Sequence, residues 1–155
     1  MANSPSSQRS KRIHPFRKKW GQNFLRDPNT IGKILDCLNP DKGDIILEIG
    51  PGDGALTDCL SPLVKEIHAV EIDPLLVKLL EEKIYPNVKL YGEDILDWDM
   101  NRMSGNIKII GNLPYYISSP ILFKLLESNN WTQMVLMFQR EGAQRIVSPP
   151  CSKSY

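Results

Sequence analysis

Cysteine and histidine are scarce in this chain. The three cysteines, Cys37, Cys59 and Cys151, are odd in number and have no metal-ligand spacing. That argues against a disulfide scaffold and for a reducing compartment. Two histidines, His14 and His68, are too few for a His-rich metal centre, so no metal is expected. No stretch approaches the roughly 18 apolar residues that a helical membrane span needs, and no membrane partner is expected. Acidic residues are missing from the first twenty positions, which instead carry Arg9, Lys11, Arg12, Arg17, Lys18 and Lys19. No apolar segment follows these charges, which speaks against secretion. Internal repeats are also absent.

What is present is enough for one domain: 155 residues, 41% of them hydrophobic. The net charge of +1 hides an asymmetry, because the chain after residue 20 holds 13 basic against 18 acidic side chains. Residues 1–17 read as a disordered basic arm, suited to a polyanionic partner such as RNA phosphates, to simple solvation, or to organellar targeting. Residues 18–155 read as the folded domain.

Strand and helix signals alternate through that domain. Asp27-Pro28 marks the start of a helix reaching Leu38, with Asp as cap and Pro in the first turn. A turn at residues 39–43 leads to an apolar strand over 44–49, the glycine loop 50–54 and a helix over 55–63. Further strands are expected at 66–70, 88–91, 107–110 and 134–138. Helices are expected at 74–84, 120–127 and 140–147. Strands separated by helices imply βαβ units, an α/β fold with a mostly parallel sheet, and ligands at the carboxyl ends of the strands.

The first strand ends in Glu48-Ile49-Gly50-Pro51-Gly52-Asp53-Gly54-Ala55. Glycines there permit a sharp turn and a close approach of ligand to main chain, and the following helix offers unpaired N–H groups. Gly50, Gly52 and Ala55 also satisfy the dinucleotide fingerprint, and Glu71 lies about twenty residues on, where an acid would bind a ribose. The loop alone therefore leaves an NAD enzyme and a methyltransferase open. Glu48 and the Gly-x-Gly-x-Gly form favour S-adenosylmethionine, which is cationic and has no pyrophosphate to cradle. Glu71, at the end of the second strand, can accept bonds from both ribose hydroxyls. Asp94, after the third strand, is placed to accept the adenine amine. Asp73, Asp97 and Asp99 read as surface charges.

The fourth strand runs into Gly111-Asn112-Leu113-Pro114-Tyr115-Tyr116-Ile117-Ser118. Methylation of an amino group on a planar base needs that nitrogen turned toward the methyl donor. The Asn112 oxygen and a main-chain carbonyl can accept its two N–H bonds, Pro114 stiffens the loop, and Tyr115 can stack on an extruded base. The sulfonium is a good leaving group, so no general base is required for attack; positioning and electrostatics do the work.

With those residues in view, the chain resembles the rRNA adenine N6,N6-dimethyltransferases of the KsgA/RsmA type. Four blocks carry the resemblance: Gly21-Gln22-Asn23-Phe24-Leu25, Glu48 to Thr57, Val70-Glu71-Ile72-Asp73, and Gly111 to Ser118. The stretch from Phe138 to Val147 is similar as well. The resemblance implies a Rossmann-like, class I fold dependent on S-adenosylmethionine. It implies dimethylation of N6 on two adjacent adenosines in a hairpin near the 3′ end of small-subunit rRNA. A role in small-subunit biogenesis would accompany it. Carried over by motif, the cofactor residues are Asn23, Leu25, Gly50, Gly52, Glu71, Asp94 and Asn112, and the catalytic loop is Asn112, Leu113, Pro114 and Tyr115. The expected partners are small-subunit rRNA or the pre-small ribosomal subunit, met by a cytoplasmic monomer. Family members continue with further strands and a small helical domain, so this chain is expected to be an incomplete domain with weakened RNA binding and stability.

Three alternatives differ in target or in chemistry. A large-subunit rRNA adenine N6-methyltransferase of the macrolide-resistance type shares the fold and a similar loop. A non-catalytic ribosome-assembly factor would have no need of the Asn112–Tyr115 loop. An NAD-dependent oxidoreductase rests on the glycine pattern alone, and His68 reads as part of the second strand rather than a hydride-transfer acid.

Overall fold

Asp27 starts the first element as its side chain dictates. Its carboxylate accepts from the amides of Asn29 and Thr30 at 3.2 and 3.1 Å, and Pro28 follows at the first helical position. This helix, α1, spans Pro28–Leu38 in the computed structural model, which describes residues 25–83 and 85–150. Asn39 ends it in the left-handed conformation, its amide bonded to the Leu35 carbonyl.

The elements then follow as β1 (Ile45–Ile49), α2 (Ala55–Leu60), β2 (Glu66–Val70), α3 (Pro74–Glu81), β3 (Val88–Tyr91), β4 (Ile107–Asn112), α4 (Ser118–Glu127), β5 (Gln133–Met137) and α5 (Arg140–Val147). The strands form one sheet in the order β3-β2-β1-β4-β5, every pairing parallel. All five residues of β1 are buried. A continuous apolar run is what a central parallel strand needs, since helices cover both of its faces.

Alternate residues of the strands enter two cores. On one face Leu47, Ile49, Ile107 and Ile109 pack with Ile121 and Leu125 of α4 and with Ile95 and Trp98. On the other, Ile46, Ile67 and Ile110 meet Ile34 and Leu38 of α1 and Leu56 and Leu60 of α2. The chain leaves β1 toward β2 and β3, then returns to place β4 on the opposite side of β1. The order thus reverses between β1 and β4, and a crevice opens at their carboxyl ends.

At the other end of the sheet, Asp44 is 1% exposed and pairs with Lys108 Nζ at 2.8 Å. Lys108 also donates to the carbonyls of Leu38 and Asn39, and Asp44 accepts from Asn106 Nδ2 and the Asp41 amide. Both charges of this buried pair are therefore hydrogen-bonded beyond each other, and they staple β1, β4 and the end of α1.

Some boundaries differ from expectation. The helix expected over 55–63 ends at Leu60 and tightens into a 3₁₀ turn at Ser61–Leu63, because Pro62 has no N–H to continue an α-helix. The helix α3 stops at Glu81 rather than residue 84. Strand β4 continues two residues further, to Asn112, because Gly111 pairs with Ile49 of β1 and Leu136 of β5, and Asn112 with Met137 of β5. The helix α4 begins at Ser118, accommodating Pro120 in its first turn, where amides lack intrahelical acceptors.

Asp73 is not the surface charge expected of it. It is fully buried and caps α3, its Oδ1 accepting from the Leu75 amide at 2.9 Å. Its own main-chain amide donates to Glu71 Oε1 at 3.0 Å, tying the start of α3 to the acid at the end of β2. Asp97 and Asp99 are both exposed as expected, and Asp99 also caps a 3₁₀ turn at Met100–Arg102 through the Asn101 amide. The expected arm, residues 1–17, lies outside the described residues. No helix among the described residues is long and apolar enough to cross a membrane.

Candidate active site

The crevice above β1 and β4 is a cavity of about 470 Å³. Its floor is the loop after β1. Gly50, Gly52 and Gly54 have φ of 64°, 63° and 88°, a conformation that a side chain disfavours. A Cβ built on Gly50 would meet no atom within 4 Å, so the missing side chain leaves open space beside the main chain. A Cβ on Gly54 would instead lie 2.9 Å from Leu80, Lys83 and Tyr85. Behind the loop, Lys83 Nζ donates to the Asp53 carbonyl at 2.6 Å and to Asp58 at 2.8 Å, and Tyr85 donates to the other Asp58 oxygen. In front, Arg26 pairs with the Asp53 carboxylate at 2.9 Å, which brings Leu25 against the cavity.

Two acids meet at the floor. Glu71 is 2% exposed, and its two oxygens accept from the amides of Gly52 and Asp73, each at 3.0 Å. Burial raises its pKa and these N–H groups oppose the rise. Glu48 is 1% exposed; Oε2 accepts the Thr57 hydroxyl at 2.7 Å, whereas Oε1 has no hydrogen-bond partner among the described residues. Burial foremost pushes the Glu48 carboxyl up to about 7, the Thr57 bond working against it. Glu48 lines the cavity, and a buried carboxyl there with one unsatisfied oxygen matches a cationic ligand group.

Asp94 lines the cavity from the loop after β3, its Oδ1 fixed by the Leu96 amide at 2.9 Å. The fourth wall is the segment after β4, where Gly111, Asn112, Leu113 and Pro114 line the cavity. The Leu113 amide donates to the Met137 carbonyl at 3.2 Å. The Pro114 carbonyl accepts from Ile117, and the Tyr115 carbonyl from Ser118 Oγ at 3.0 Å. These bonds fold the loop tightly onto the start of α4 and leave Asn112 at the last register position of β4.

The structure therefore gathers Leu25, Gly50, Gly52, Glu71, Asp94, Asn112, Leu113 and Pro114 around one cavity. Asn23 lies outside the described residues. Tyr115 stands apart: it is 64% exposed and does not line the cavity, its ring instead meeting Tyr116 edge-on at 6.1 Å. Tyr116, which the sequence reading gave no role, does line it. His68 is a buried core residue of β2, bonded to Tyr91 and Glu66. Burial lowers its pKa, with the Glu66 carboxylate opposing.

Comparison with known proteins places the chain in a family. Residues 13–155 match the family model for ribosomal RNA adenine dimethylase. "Ribosomal RNA small subunit methyltransferase A" of Neisseria gonorrhoeae (strain NCCP11945) is 42% identical over 144 residues, which cover 92% of this chain and 56% of that protein. This chain thus spans about half the length of such relatives. Among solved structures, a dimethyladenosine transferase from Plasmodium falciparum is 31% identical with a TM-score of 0.76, covering 86% of this chain and 49% of that one. The 23S rRNA methyltransferase ErmE is 33% identical with a TM-score of 0.73, covering 79% of this chain and 50% of that one. The fold is that of the class I methyltransferases, and the chain belongs to the ribosomal RNA adenine dimethylase family.

Proposed function

We propose that residues 18–155 form an S-adenosylmethionine-dependent methyltransferase domain that dimethylates N6 of two adjacent adenosines near the 3′ end of small-subunit rRNA. The observation that carries this reading is the convergence of Glu48, Glu71, Asp94 and Asn112 on one cavity at the β1/β4 reversal.

S-adenosylmethionine, when bound, supplies an electrophilic methyl group on a sulfonium. Every other requirement falls to this chain. Glu48 Oε1 accepts the ligand's cationic end, and Gly50 lets it approach the main chain. Glu71, already oriented by two amides, accepts the ribose hydroxyls, and Asp94 accepts the adenine amine. Leu25 closes the near side. Asn112 and a main-chain carbonyl of its loop accept the N–H bonds of the target amine and aim its lone pair at the methyl group. Pro114 holds that geometry, and exposed Tyr115 offers a face on which the extruded base stacks. The basic arm at residues 1–17 meets RNA phosphates. Activity in the cytoplasm as a monomer, within small-subunit biogenesis, completes the reading.

The test is methyl transfer from labelled S-adenosylmethionine to small-subunit and large-subunit rRNA fragments, followed by nucleoside analysis. N6,N6-dimethyladenosine in the small-subunit fragment, lost in Asn112→Ala, supports the reading. Label in the large-subunit fragment alone would select the macrolide-resistance type of activity. Binding of both RNA and cofactor without transfer would select an assembly factor.

A further inference from the structure

The loops after β3 and β4 meet over one face of the sheet. Ile95 from the first and Leu113 from the second share a core with Ile121 of α4, and Ile117 packs against it. Lys124 of α4 donates to the Leu96 carbonyl at 2.5 Å, tying the helix that follows the Asn112 loop to the loop that carries Asp94. Tyr116 lies at this junction. It is 46% exposed, lines the cavity, and stands with its ring plane at 84° to that of Tyr115. The two neighbouring tyrosines thus divide the space, Tyr115 facing out of the cavity and Tyr116 facing into it. Burial first and the Asp94 carboxylate second raise the Tyr116 pKa, which is consistent with a phenol beside that acid.

We propose that Tyr116 is a cofactor-contact residue whose ring walls the Asp94 end of the cavity and packs against the cofactor's adenine. This rests on the reading of the cavity as an S-adenosylmethionine site. The chemistry is that of a purine held by its edge and its face: Asp94 accepts from the exocyclic amine while the aromatic ring covers the π surface. A side chain half in solvent can do this at small cost to folding, because it leaves little apolar core behind when removed. The pairing also divides labour within one loop, with adjacent tyrosines serving two different adenines, one of the cofactor and one of the RNA.

The experiment is calorimetric titration of the full chain with S-adenosylhomocysteine and with 5′-methylthioadenosine, which lacks the amino-acid half. The variants are Tyr116→Ala, Tyr116→Leu, Tyr116→Phe and Glu71→Gln, each checked for a cooperative melt. Tyr116→Ala is expected to weaken both ligands by a similar factor, about tenfold, as loss of one aromatic stack does. Tyr116→Leu follows it and carries the test should the alanine variant not fold, while Tyr116→Phe stays within about twofold of the parent chain because the ring is retained. Unchanged affinity in the alanine and leucine variants, alongside a weakened Glu71→Gln, would overturn the Tyr116 assignment and leave the cofactor site standing. Loss for S-adenosylhomocysteine but not for methylthioadenosine would also overturn it, as would a Phe variant as weak as Ala. Failure of the parent chain to bind either ligand would bring down the cofactor reading itself, and Tyr116 with it.

Discussion

The Gly52 amide donates to Glu71 Oε2 across 3.0 Å, joining the loop after β1 to the end of β2. With the Asp73 amide on the other oxygen, the bond holds the Glu71 carboxylate in place before any ligand arrives. Preorganisation of this kind means that little ordering remains to be done on binding.

Glu71→Ala is therefore expected to weaken S-adenosylmethionine by about 10- to 100-fold, the loss of hydrogen bonds to a charged acceptor. It also releases the Gly52 and Asp73 amides. Titration calorimetry on the folded variant checks this; an affinity within twofold of the parent would contradict the ribose role.

Glu48 makes stability depend on pH. In the unfolded chain its carboxyl titrates at the ordinary value near 4.5, and in the folded chain at about 7. Between these the native state holds a proton that the unfolded chain has released. This group's contribution to stability therefore falls as pH rises from about 4.5 to about 7, by about 3 kcal/mol in all, and is level above that. Urea melts of the parent chain and Glu48→Gln at pH 5 and pH 8 should show the parent losing stability relative to the variant at the higher pH. A cationic ligand favours the carboxylate, so S-adenosylmethionine should bind more tightly at pH 8 than at pH 6, with release of a proton. Calorimetry in buffers of different ionisation enthalpy reads that proton directly.

Lys108→Met leaves the 1%-exposed Asp44 without its cation. Removing one partner of a buried pair costs about 3–5 kcal/mol. The midpoint of chemical unfolding should shift accordingly, whereas the double variant Asp44→Leu with Lys108→Met should recover part of the loss. Equal destabilisation in single and double variants would mean that the pair's other hydrogen bonds carry the effect.

Gly54→Ala forces a side chain onto a φ of 88° and places a Cβ 2.9 Å from Leu80, Lys83 and Tyr85. The ends of those three side chains can shift, so backbone strain of about 1–3 kcal/mol is the main cost. Displacing Lys83 also loosens its grip on the Asp53 carbonyl. A lowered melting temperature together with weaker cofactor binding is expected. Gly32→Ala, a helical glycine whose Cβ would meet nothing within 4 Å, should be neutral or stabilising in the same melt.

Asn112→Ala should cost about 10²- to 10³-fold in turnover, the scale for removing one well-placed polar group that acts on the reacting centre. Single-turnover methyl transfer with saturating cofactor checks it. A loss confined to cofactor KM would assign Asn112 to binding alone.

Much of this protein is local and so was legible in the chain. Asp27-Pro28 announces α1 because capping and the proline φ act within one turn. The bounds of β2, β3 and α5 follow from short-range pattern, and the glycine loop shows itself because only glycine rests easily at positive φ. Successive strand ends carrying Glu48, Glu71, Asp94 and Asn112 could be aligned once a parallel sheet was inferred. Tertiary structure decided the rest. Asp73 looked like any surface acid until α3 folded over it, since burial depends on residues far along the chain. The last two residues of β4 became strand because Gly111 pairs with both β1 and β5 and Asn112 with β5, neighbours set far along the chain. The division between Tyr115 and Tyr116 was equally invisible, as two adjacent identical side chains have the same chemistry and differ only in which way the loop turns them. Sequence specified which groups could act; the crossing of two loops above β1 and β4 fixed which of them face the cavity.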